Sequence, residues 1–424
     1  MAHFLLATGA GTGQVYPMLP ISRALVERGH QVVWITGKKY QRQVEATGAT
    51  FYPLPETVDP GEKDIYEWKP ELKKLHGMAQ LKWYMKNGFI GASPEVIKAV
   101  DAVLSEYHAD VLVGDIPMQG LFYKSELTGI PSALVSMSPL AVPSRDTAPY
   151  GLALLPRQGT LARIRNRLLN WLSDNIILRD VNVYENKIRR QLGLPPRNSY
   201  IRGVFEFPDL MLQFTVPSFE YLRSDQPANL RFTGPILPKP DRVYTPPAWW
   251  SDLSSGCPVI MITQGTMETE WQELIIPTID SLKQEDVLMV AVPFEAYTIE
   301  NLPKQLRAEK FIPFDQLLPH VDVLVTNGGY GGVQQALAHG IPLVVAASQT
   351  EDHMEVGARV EWSGAGIHLR KLHPSPSEIR EAVKQVLNNP KYRENAGRIQ
   401  RDYAKYNGPQ CAAELLESLV TKRV

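Results

Sequence analysis

Two glycine-rich turns could bind an anion, because each follows an apolar run and precedes a helix-like stretch. The first is GAGTGQVYP, residues 9–17, and the second lies within VDVLVTNGGYGGVQQALAHGIP, residues 321–342. Glycines let the backbone approach a ligand, and free N–H groups at a helix start attract negative charge. The first turn matches neither the complete phosphate loop nor the complete dinucleotide fingerprint. The second predicts a phosphate site, with a tight strand-to-helix turn as the alternative.

Strands and helices alternate along the chain, and their order decides where these turns lie. Short apolar or β-branched runs predict strands, and helical patterns follow them, for example at about 17–28. This rhythm implies two mostly parallel α/β sheets covered on both faces, with ligands at the carboxyl ends of the strands. The predicted strands are HFLLA (3–7), QVVWIT (31–36), VLVGD (111–115), SALVSM (132–137) and LMLQF (210–214), then VIMITQG (259–265), VLMVAV (287–292), VDVLVTN (321–327) and PLVVAA (342–347).

The length of 424 residues predicts two domains rather than one. The segment 234–250 separates the two halves, and its five prolines and weak periodicity predict a semi-rigid linker. Two open sheets joined in this way form a cleft between them.

Composition excludes several classes of protein. The chain is 44% hydrophobic and 21% charged with a net charge of −1, which gives no reason to expect a nucleic-acid partner. Its two cysteines, Cys257 and Cys411, provide neither a disulfide framework nor a zinc cluster. No apolar run approaches the roughly 18 residues that span a bilayer. We therefore expect a cytoplasmic protein without a transmembrane segment.

The whole chain resembles the family 1 glycosyltransferases of the GT-B fold, specifically bacterial UDP-glycosyltransferase-like enzymes that modify small lipophilic acceptors. The matching pieces are GQVYPMLPISRALVERGHQVV from Gly13, FTGP (232–235), TQGT (263–266), FIPFDQLLPHVDVLVTNGG from Phe311 and GIPLVVAASQTEDHMEVGARVEWSGAGIHL from Gly340. The resemblance implies two Rossmann-like doubly wound domains facing across a cleft. The expected organisation is an acceptor-binding domain (1–233), the linker (234–250), a nucleotide-sugar domain (251–405) and a final helix that packs back on the first domain (406–424).

The resemblance also implies a donor site in the second domain. Phe311 corresponds to an aromatic ring that stacks on uracil, and the Ile312 backbone to a partner of the base edge. Gln335 replaces a glutamate that grips the ribose hydroxyls. Asn327 replaces a common histidine at the diphosphate. The further donor-binding positions are Gly13, Thr266, Gly328, Gly329, Gly331 and Gly332. For Phe311 the alternative is a core position after a strand.

The resemblance assigns the sugar hydroxyls to the start of a later helix. Asp352 matches the acidic residue that binds them, Glu351 is expected to share this role, and His353 stands where glutamine is common. A solvated acidic loop is the alternative. Arg359 is expected to be a surface ion-pair residue rather than a sugar contact. Because the sequence lacks a D-x-D pair, we expect no metal and no permanent cofactor, only a UDP-sugar or TDP-sugar as donor.

Gln14 departs from the family at the position of the catalytic histidine, whereas Asp115 matches the aspartate that orients this histidine. An amide cannot accept a proton at any relevant pH. Three explanations stay open: proton removal falls to Asp115 or is not limiting, the histidine has been substituted to trap a complex, or the protein is a weak or inactive homologue that binds a ligand or partner. Asp115 could also be a simple helix N-cap.

The acceptor is expected to lie between Gln14, Asp115 and the irregular segments 60–92 and 138–205. One predicted amphipathic helix there carries Leu161, Ile164, Leu168 and Leu172, and 161–205 holds nine Lys/Arg against three Asp/Glu. This helix is either a solvated face packed on the first domain or a basic lip that meets an acidic or membrane-borne acceptor.

The resemblance thus implies an inverting, metal-independent transfer of glucose or a related hexose from a UDP-sugar to a hydroxyl of a small hydrophobic or phenolic acceptor. A non-catalytic homologue is the alternative from another class. A nucleotide-sugar epimerase is less favoured, because an epimerase needs no pocket for a second substrate.

Overall fold

The protein folds around two parallel sheets. The computed structural model describes residues 1–63, 65–238, 244–264, 271–293, 303–346 and 350–421. The first sheet has the order β3-β2-β1-β4-β5-β6-β7 and the second the order β10-β9-β8-β11-β12-β13. The strands are β1 (His3–Ala7), β2 (Gln31–Thr36), β3 (Thr50–Pro53), β4 (Val111–Gly114), β5 (Ser132–Ser136), β6 (Leu210–Gln213), β7 (Leu230–Phe232), β8 (Val259–Thr263), β9 (Leu288–Ala291), β10 (Leu306–Ala308), β11 (Val323–Thr326), β12 (Leu343–Val345) and β13 (Gly366–His368).

Helices cover both sheets, so the predicted α/β class with two Rossmann-like lobes is confirmed. In the first lobe they are α1 (Thr12–Glu27), α2 (Gln41–Glu45), α3 (Ile65–Trp68), α4 (Met78–Trp83), α5 (Ser93–Glu106), α6 (Gln119–Thr128), α7 (Thr160–Leu172), α8 (Arg179–Gln191) and α9 (Tyr200–Glu206). In the second half of the chain they are α10 (Ile275–Leu282), α11 (Phe314–Leu317), α12 (Tyr330–Ala338), α13 (Glu351–Ser363), α14 (Pro376–Asn388), α15 (Pro390–Tyr403) and α16 (Gly408–Thr421).

Each sheet separates two apolar cores, because successive side chains of a strand point to opposite faces. In β1, Leu5 belongs to one core and Phe4 and Leu6 to the other. In β8, Met261 and Ile262 divide in the same way. Strands buried on both faces need continuous apolar sequences, which is why these runs were visible in the sequence.

Helix α1 begins at Thr12, five residues before the predicted start at Pro17. Pro17 and Pro20 both lie inside the helix. Gly11, in an extended conformation, is the N-cap residue. This earlier start places Gln14 in the first helical turn rather than in the loop.

Helix α7 is present where an amphipathic helix was predicted, but its apolar stripe does not pack on the first lobe. Leu161, Ile164 and Leu168 are 83%, 55% and 56% exposed. The buried side instead carries Asn166 and Asn170, whose amides donate hydrogen bonds to loop carbonyls such as that of Arg145. The helix is therefore held on the first lobe by polar groups, and its apolar stripe faces solvent.

The final helix α16 lies against the first lobe. Leu416 and Leu419 belong to the same core as Phe4. Glu417 accepts hydrogen bonds from Arg28 at 2.7 Å and contacts a ring nitrogen of His30 at 2.6 Å. Within the predicted linker, residues 239–243 lie outside the described residues.

No helix in the described ranges combines the length and apolarity that crossing a membrane requires.

Candidate active site

The first glycine turn and Asp115 meet at the carboxyl ends of neighbouring strands. β1 pairs with β4, which places residues 8–11 beside residue 115. The N–H of Gly9 donates to both carboxylate oxygens of Asp115, at 3.1 and 3.3 Å. Helix α6 has Met118 as its N-cap residue and no side-chain cap bond, so the alternative role of Asp115 as an N-cap is wrong. The carboxylate instead holds the glycine turn.

The environment of Asp115 favours its protonated form. The side chain is 2% exposed. Burial raises the pKa of Asp115 to about 7, against the opposing effect of the Gly9 N–H. A carboxyl group with a pKa near neutrality can accept and release a proton at working pH, which suits general base catalysis.

Gln14 lies next to Asp115 across Gly9. Its Cγ atom and an Asp115 carboxylate oxygen are both 3.6 Å from the point that a Cβ atom on residue 9 would occupy. The Oε1 atom of Gln14 folds back over Gly11, into the space that a side chain there would fill. Gly13 faces open space, since an added Cβ would meet nothing within 4 Å. The structure thus brings the two predicted catalytic positions together.

The second glycine turn follows β11, at the carboxyl edge of the second sheet. Asn327 is buried, and its amide donates to the carbonyl oxygen of Gln264 at 2.9 Å, which joins the ends of β11 and β8. Gly328 has φ of +98°, a conformation that favours glycine. A Cβ there would lie 2.9 Å from the carbonyl oxygen of His353. This close approach places the turn against the start of α13.

Helix α12 presents an open N-terminus to this edge. Gly329 is its N-cap residue, and the N–H groups of the first turn have no preceding carbonyl within the helix. An added Cβ on Gly331 would meet nothing within 4 Å, and one on Gly332 only the Phe314 ring at 3.9 Å. Gln335 lies one turn further, with its amide 3.3 Å from the Gly331 carbonyl. The geometry suits an anion beside the backbone.

Phe311 is 71% exposed, whereas the next residue, Ile312, is 1% exposed. The core position considered for Phe311 is therefore wrong. These two residues immediately precede α11, whose Phe314 packs beside Gly332. An aromatic face in solvent, on a backbone fixed by its buried neighbour, provides a platform for a flat ring.

The three predicted sugar-binding residues form the first turn of α13. The Thr350 hydroxyl caps this helix by accepting a hydrogen bond from the His353 N–H. Burial raises the pKa of the Asp352 carboxyl, and burial lowers the pKa of His353 to about 4, so that this imidazole is neutral at physiological pH. Glu351 packs against Gly151 of the first lobe, 3.4 Å from the point of an added Cβ. The alternative of a solvated acidic loop is thus wrong, because these residues begin a capped helix.

Residues of the first lobe hold the first two turns of α13. The hydroxyl of Tyr150 donates a hydrogen bond to Asp352. Two backbone N–H groups, of Gly151 and Ala153, donate to Glu355 at 2.9 Å. These contacts could not be predicted from the sequence, because Tyr150 lies in an unpatterned segment about 200 residues from its partner.

Arg359 forms ion pairs as expected, but it is buried rather than on the surface. Its guanidinium is 1% exposed and pairs with Glu220 and Glu355, each at 2.8 Å. It also donates to the Leu140 carbonyl oxygen at 3.1 Å. Burial opposes ionisation of both groups, yet their attraction raises the pKa of Arg359 and lowers that of Glu220. The arginine fastens α13 to the first lobe.

The donor position predicted at Thr266 lies outside the described residues. Among the residues that are described, no group of three or more His, Cys, Asp or Glu side chains is arranged to hold a metal ion.

Comparison with known proteins agrees with this architecture. Residues 276–419 match the family model of the erythromycin biosynthesis protein CIII-like C-terminal domain. The chain is 44% identical over 420 residues to 4'-demethylrebeccamycin synthase of Lentzea aerocolonigenes, covering 99% of this chain and 100% of that protein. It is 30% identical to UDP-glycosyltransferase 2 of Phaeomoniella chlamydospora, covering 98% and 95% of the two chains.

Among solved structures, the calicheamicin glycosyltransferase CalG4 has a similar fold. The TM-score is 0.77 at 21% sequence identity, with 100% of this chain and 99% of that chain covered. At this identity the similarity concerns the fold alone.

Proposed function

We propose a specific reaction for this chain, which belongs to the family 1 glycosyltransferases of the GT-B fold. It is a glycosyltransferase that uses a nucleotide sugar to glycosylate a natural product. The proposed reaction moves a hexose, such as glucose, from a UDP- or TDP-sugar to a hydroxyl of a small hydrophobic or phenolic acceptor, with inversion at the anomeric carbon. UDP as donor is supported by the name of the fungal relative.

One observation carries the donor assignment: the exposed ring of Phe311 lies three residues before Phe314, which packs beside Gly332 in an open, glycine-built helix N-terminus. Phe311 would stack on the base, and the Ile312 backbone would pair with the base edge. The first turn of α12, with Gly329, Gly331 and Gly332, would bind the diphosphate through N–H groups. Because these groups neutralise the leaving diphosphate, we expect no requirement for a metal.

The other proposed donor contacts are made by side chains of α12 and α13. Gln335 would bind the ribose hydroxyls by neutral hydrogen bonds, without the charge that a glutamate provides. Asp352, with Glu351 and His353, would bind the sugar hydroxyls. Their side chains lie on the helix turn that the first lobe holds.

The chemical step is a single displacement. The acceptor oxygen attacks the anomeric carbon from the face opposite the diphosphate, and the bond from that carbon to the diphosphate oxygen breaks, with its electron pair remaining on the diphosphate. The acceptor proton passes to Asp115, directly or through one water, while Gln14 orients the acceptor by hydrogen bonds. An acidic acceptor such as a phenol suits a site without a histidine base.

Release of UDP and TDP from their sugars, measured with and without a panel of phenolic acceptors, tests this function. Acceptor-stimulated release that persists in EDTA supports it. Sugar isomerisation without nucleotide release indicates an epimerase instead. An arm without acceptor measures hydrolysis and serves as the baseline.

A weakened or non-catalytic homologue is the second candidate, and Gln14 is the observation that favours it. Tight UDP binding without turnover on any acceptor supports this candidate. Asp115→Asn separates the two, because the substitution abolishes most turnover in a transferase and leaves a binding protein unchanged.

A further inference from the structure

The outward side of α7 carries large apolar side chains that nothing in the described residues covers. We define the outer face of α7 by four residues at helical spacing, Leu161, Ile164, Leu168 and Trp171. These residues are 55–83% exposed. Ile176, one turn further, is 60% exposed. Isolated apolar residues on a surface are ordinary, but a contiguous stripe of this size marks an interaction site.

The helix is anchored so that this outer face must point to solvent. Ala162 and Asn166 are buried on the opposite side, and the Asn166 amide donates to the Arg145 carbonyl at 3.2 Å. The Asn170 amide donates to the carbonyls of Ser144 and Thr147 at 3.1 and 3.2 Å. Rotating α7 to bury its leucines would break these bonds and expose the anchoring loop.

Charge indicates what the outer face meets. Helix α7 contains no acidic residue and three arginines, of which Arg163 pairs with Asp146 at 2.8 Å, so Arg165 and Arg167 are the cations that can meet a partner. Residues 157–179 hold five arginines against one aspartate. Arg165 and Arg167 flank the apolar stripe on its two sides, as the helical spacing of 100° per residue requires. A partner that fits this surface is therefore apolar where it meets the stripe and anionic on both sides of it.

We infer that the outer face of α7 docks the enzyme on an anionic lipid bilayer. A helix with arginines, a tryptophan and leucines arranged in this way lies in the plane of the bilayer interface. Thirteen residues span only about 20 Å as a helix, so it lies on the membrane and does not cross it.

A second copy of this chain is a poorer occupant than lipid. A symmetric dimer through α7 places the same helix on both sides of the contact. Because α7 has no acidic residue, Arg165 and Arg167 would meet no carboxylate on the facing helix, and burying a charge without a partner is unfavourable. The inference goes beyond the proposed reaction and does not depend on it.

Vesicle flotation of the full chain tests this inference. Equimolar phosphatidylcholine and phosphatidylglycerol vesicles are compared with phosphatidylcholine alone, at low salt and at about 1 M salt, where the Debye length is about 3 Å. We expect the protein to bind the mixed vesicles at low salt. Most of this binding should be lost on phosphatidylcholine alone, and also on the mixed vesicles at high salt.

Substitutions on α7 identify the surface responsible. Leu168→Ser should lower vesicle affinity by about tenfold or more, and Arg167→Gln by about fivefold. Both residues are exposed, so the fold should be retained, and circular dichroism checks this. The matched controls, Leu372→Ser and Arg401→Gln in the second half of the chain, should bind like the wild type.

Three results overturn the inference. The first is no vesicle binding by the wild type, and the second is binding by Leu168→Ser that equals that of the wild type. The third is a lipid-free dimer, detected by sedimentation velocity, that Leu168→Ser converts to monomer, because the outer face is then a contact between copies.

Discussion

Arg359 and Glu220 form a buried ion pair between α13 and the segment that links β6 to β7. Nε of Arg359 donates to the two carboxylate oxygens at 2.8 and 2.9 Å, and both side chains are 1% exposed. Because α13 begins with Glu351 and Asp352, this pair fixes the helix that carries the proposed sugar contacts. The position of the donor site therefore depends on a contact made far from it in sequence.

Arg359→Met should destabilise the protein by about 3–5 kcal/mol, because the substitution leaves the buried Glu355 without its cation and Glu220 with the longer Arg223 pair, at 3.4 Å. Urea unfolding measures the change. Arg202→Ala is the control, since Arg202 pairs with Glu206 on the surface at 3.2 Å and its loss should cost about 0.5 kcal/mol or less. Equal losses for Arg359→Met and Arg202→Ala contradict the assigned role.

Asp115 predicts how stability depends on pH. Its pKa is about 7 in the folded protein and near 3.8 in the unfolded chain. Below pH 4 both states are protonated and the full stability is present. As the pH rises to 7 the unfolded state releases the proton first, so the free energy of unfolding falls, by on the order of 4 kcal/mol for such a shift. Asp115→Asn should remove this part of the pH dependence.

The same carboxyl group predicts how activity depends on pH. As the proposed base it must be ionised, so kcat/KM should rise with pH and level off above about 7. Asp115→Asn should lose both the activity and this inflection. An unchanged inflection in the residual activity of Asp115→Asn assigns the titration to another group.

Gln14→His should increase turnover with a weakly acidic alcohol by roughly 10²-fold, because the imidazole would lie beside Asp115 and could accept the acceptor proton. Nucleotide release with that alcohol measures the gain. Gln14→Asn retains an amide and should show none. If the affinity for the nucleotide sugar is unchanged and the rate does not rise, the absence of a base is not the limiting defect.

Phe311→Ala should weaken binding of the nucleotide by about 1–3 kcal/mol, because the stacking face is removed. The melting temperature should not change, since the ring is 71% exposed. Isothermal titration with UDP and TDP gives the affinity. Leu372→Ala, at another exposed apolar position, serves as the control and should bind normally.

Tyr150→Phe should raise KM for the donor several-fold, since the hydroxyl that orients Asp352 is lost. A double-mutant cycle with Asp352→Asn tests the coupling through donor KM and kcat. Additive effects in this cycle show that Tyr150 does not act through Asp352.

The sequence identified the centre of each sheet and missed its edges. The strands that were predicted are the inner ones, such as β1 and β8, which are continuous apolar runs. The four that were missed, β3, β7, β10 and β13, are the two edges of each sheet. Each has only three or four residues and a partly exposed pattern. An edge strand is covered on fewer sides, so its sequence need not be continuously apolar.

Local motifs likewise located the two turns but not what joins the lobes. A glycine motif describes only a few neighbouring residues. Gln14 and Asp115 lie close together because β1 pairs with β4, which brings the carboxyl ends of these two strands side by side. The bonds of Tyr150 and Arg359 unite segments with no shared pattern. Arg359 was expected at the surface because a charged residue usually is.

The C-terminal helix α16 has a consequence for engineering chimaeras between relatives. Leu416 and Leu419 complete a core whose other members, such as Phe4 and Met18, come from the start of the chain. A chimaera with one crossover near the middle of the chain would take its first lobe from one parent and α16 from the other. The helix would then pack on a core that belongs to a different relative. Hybrids should therefore have two crossovers, so that α16 (Gly408–Thr421) comes from the same parent as the first lobe.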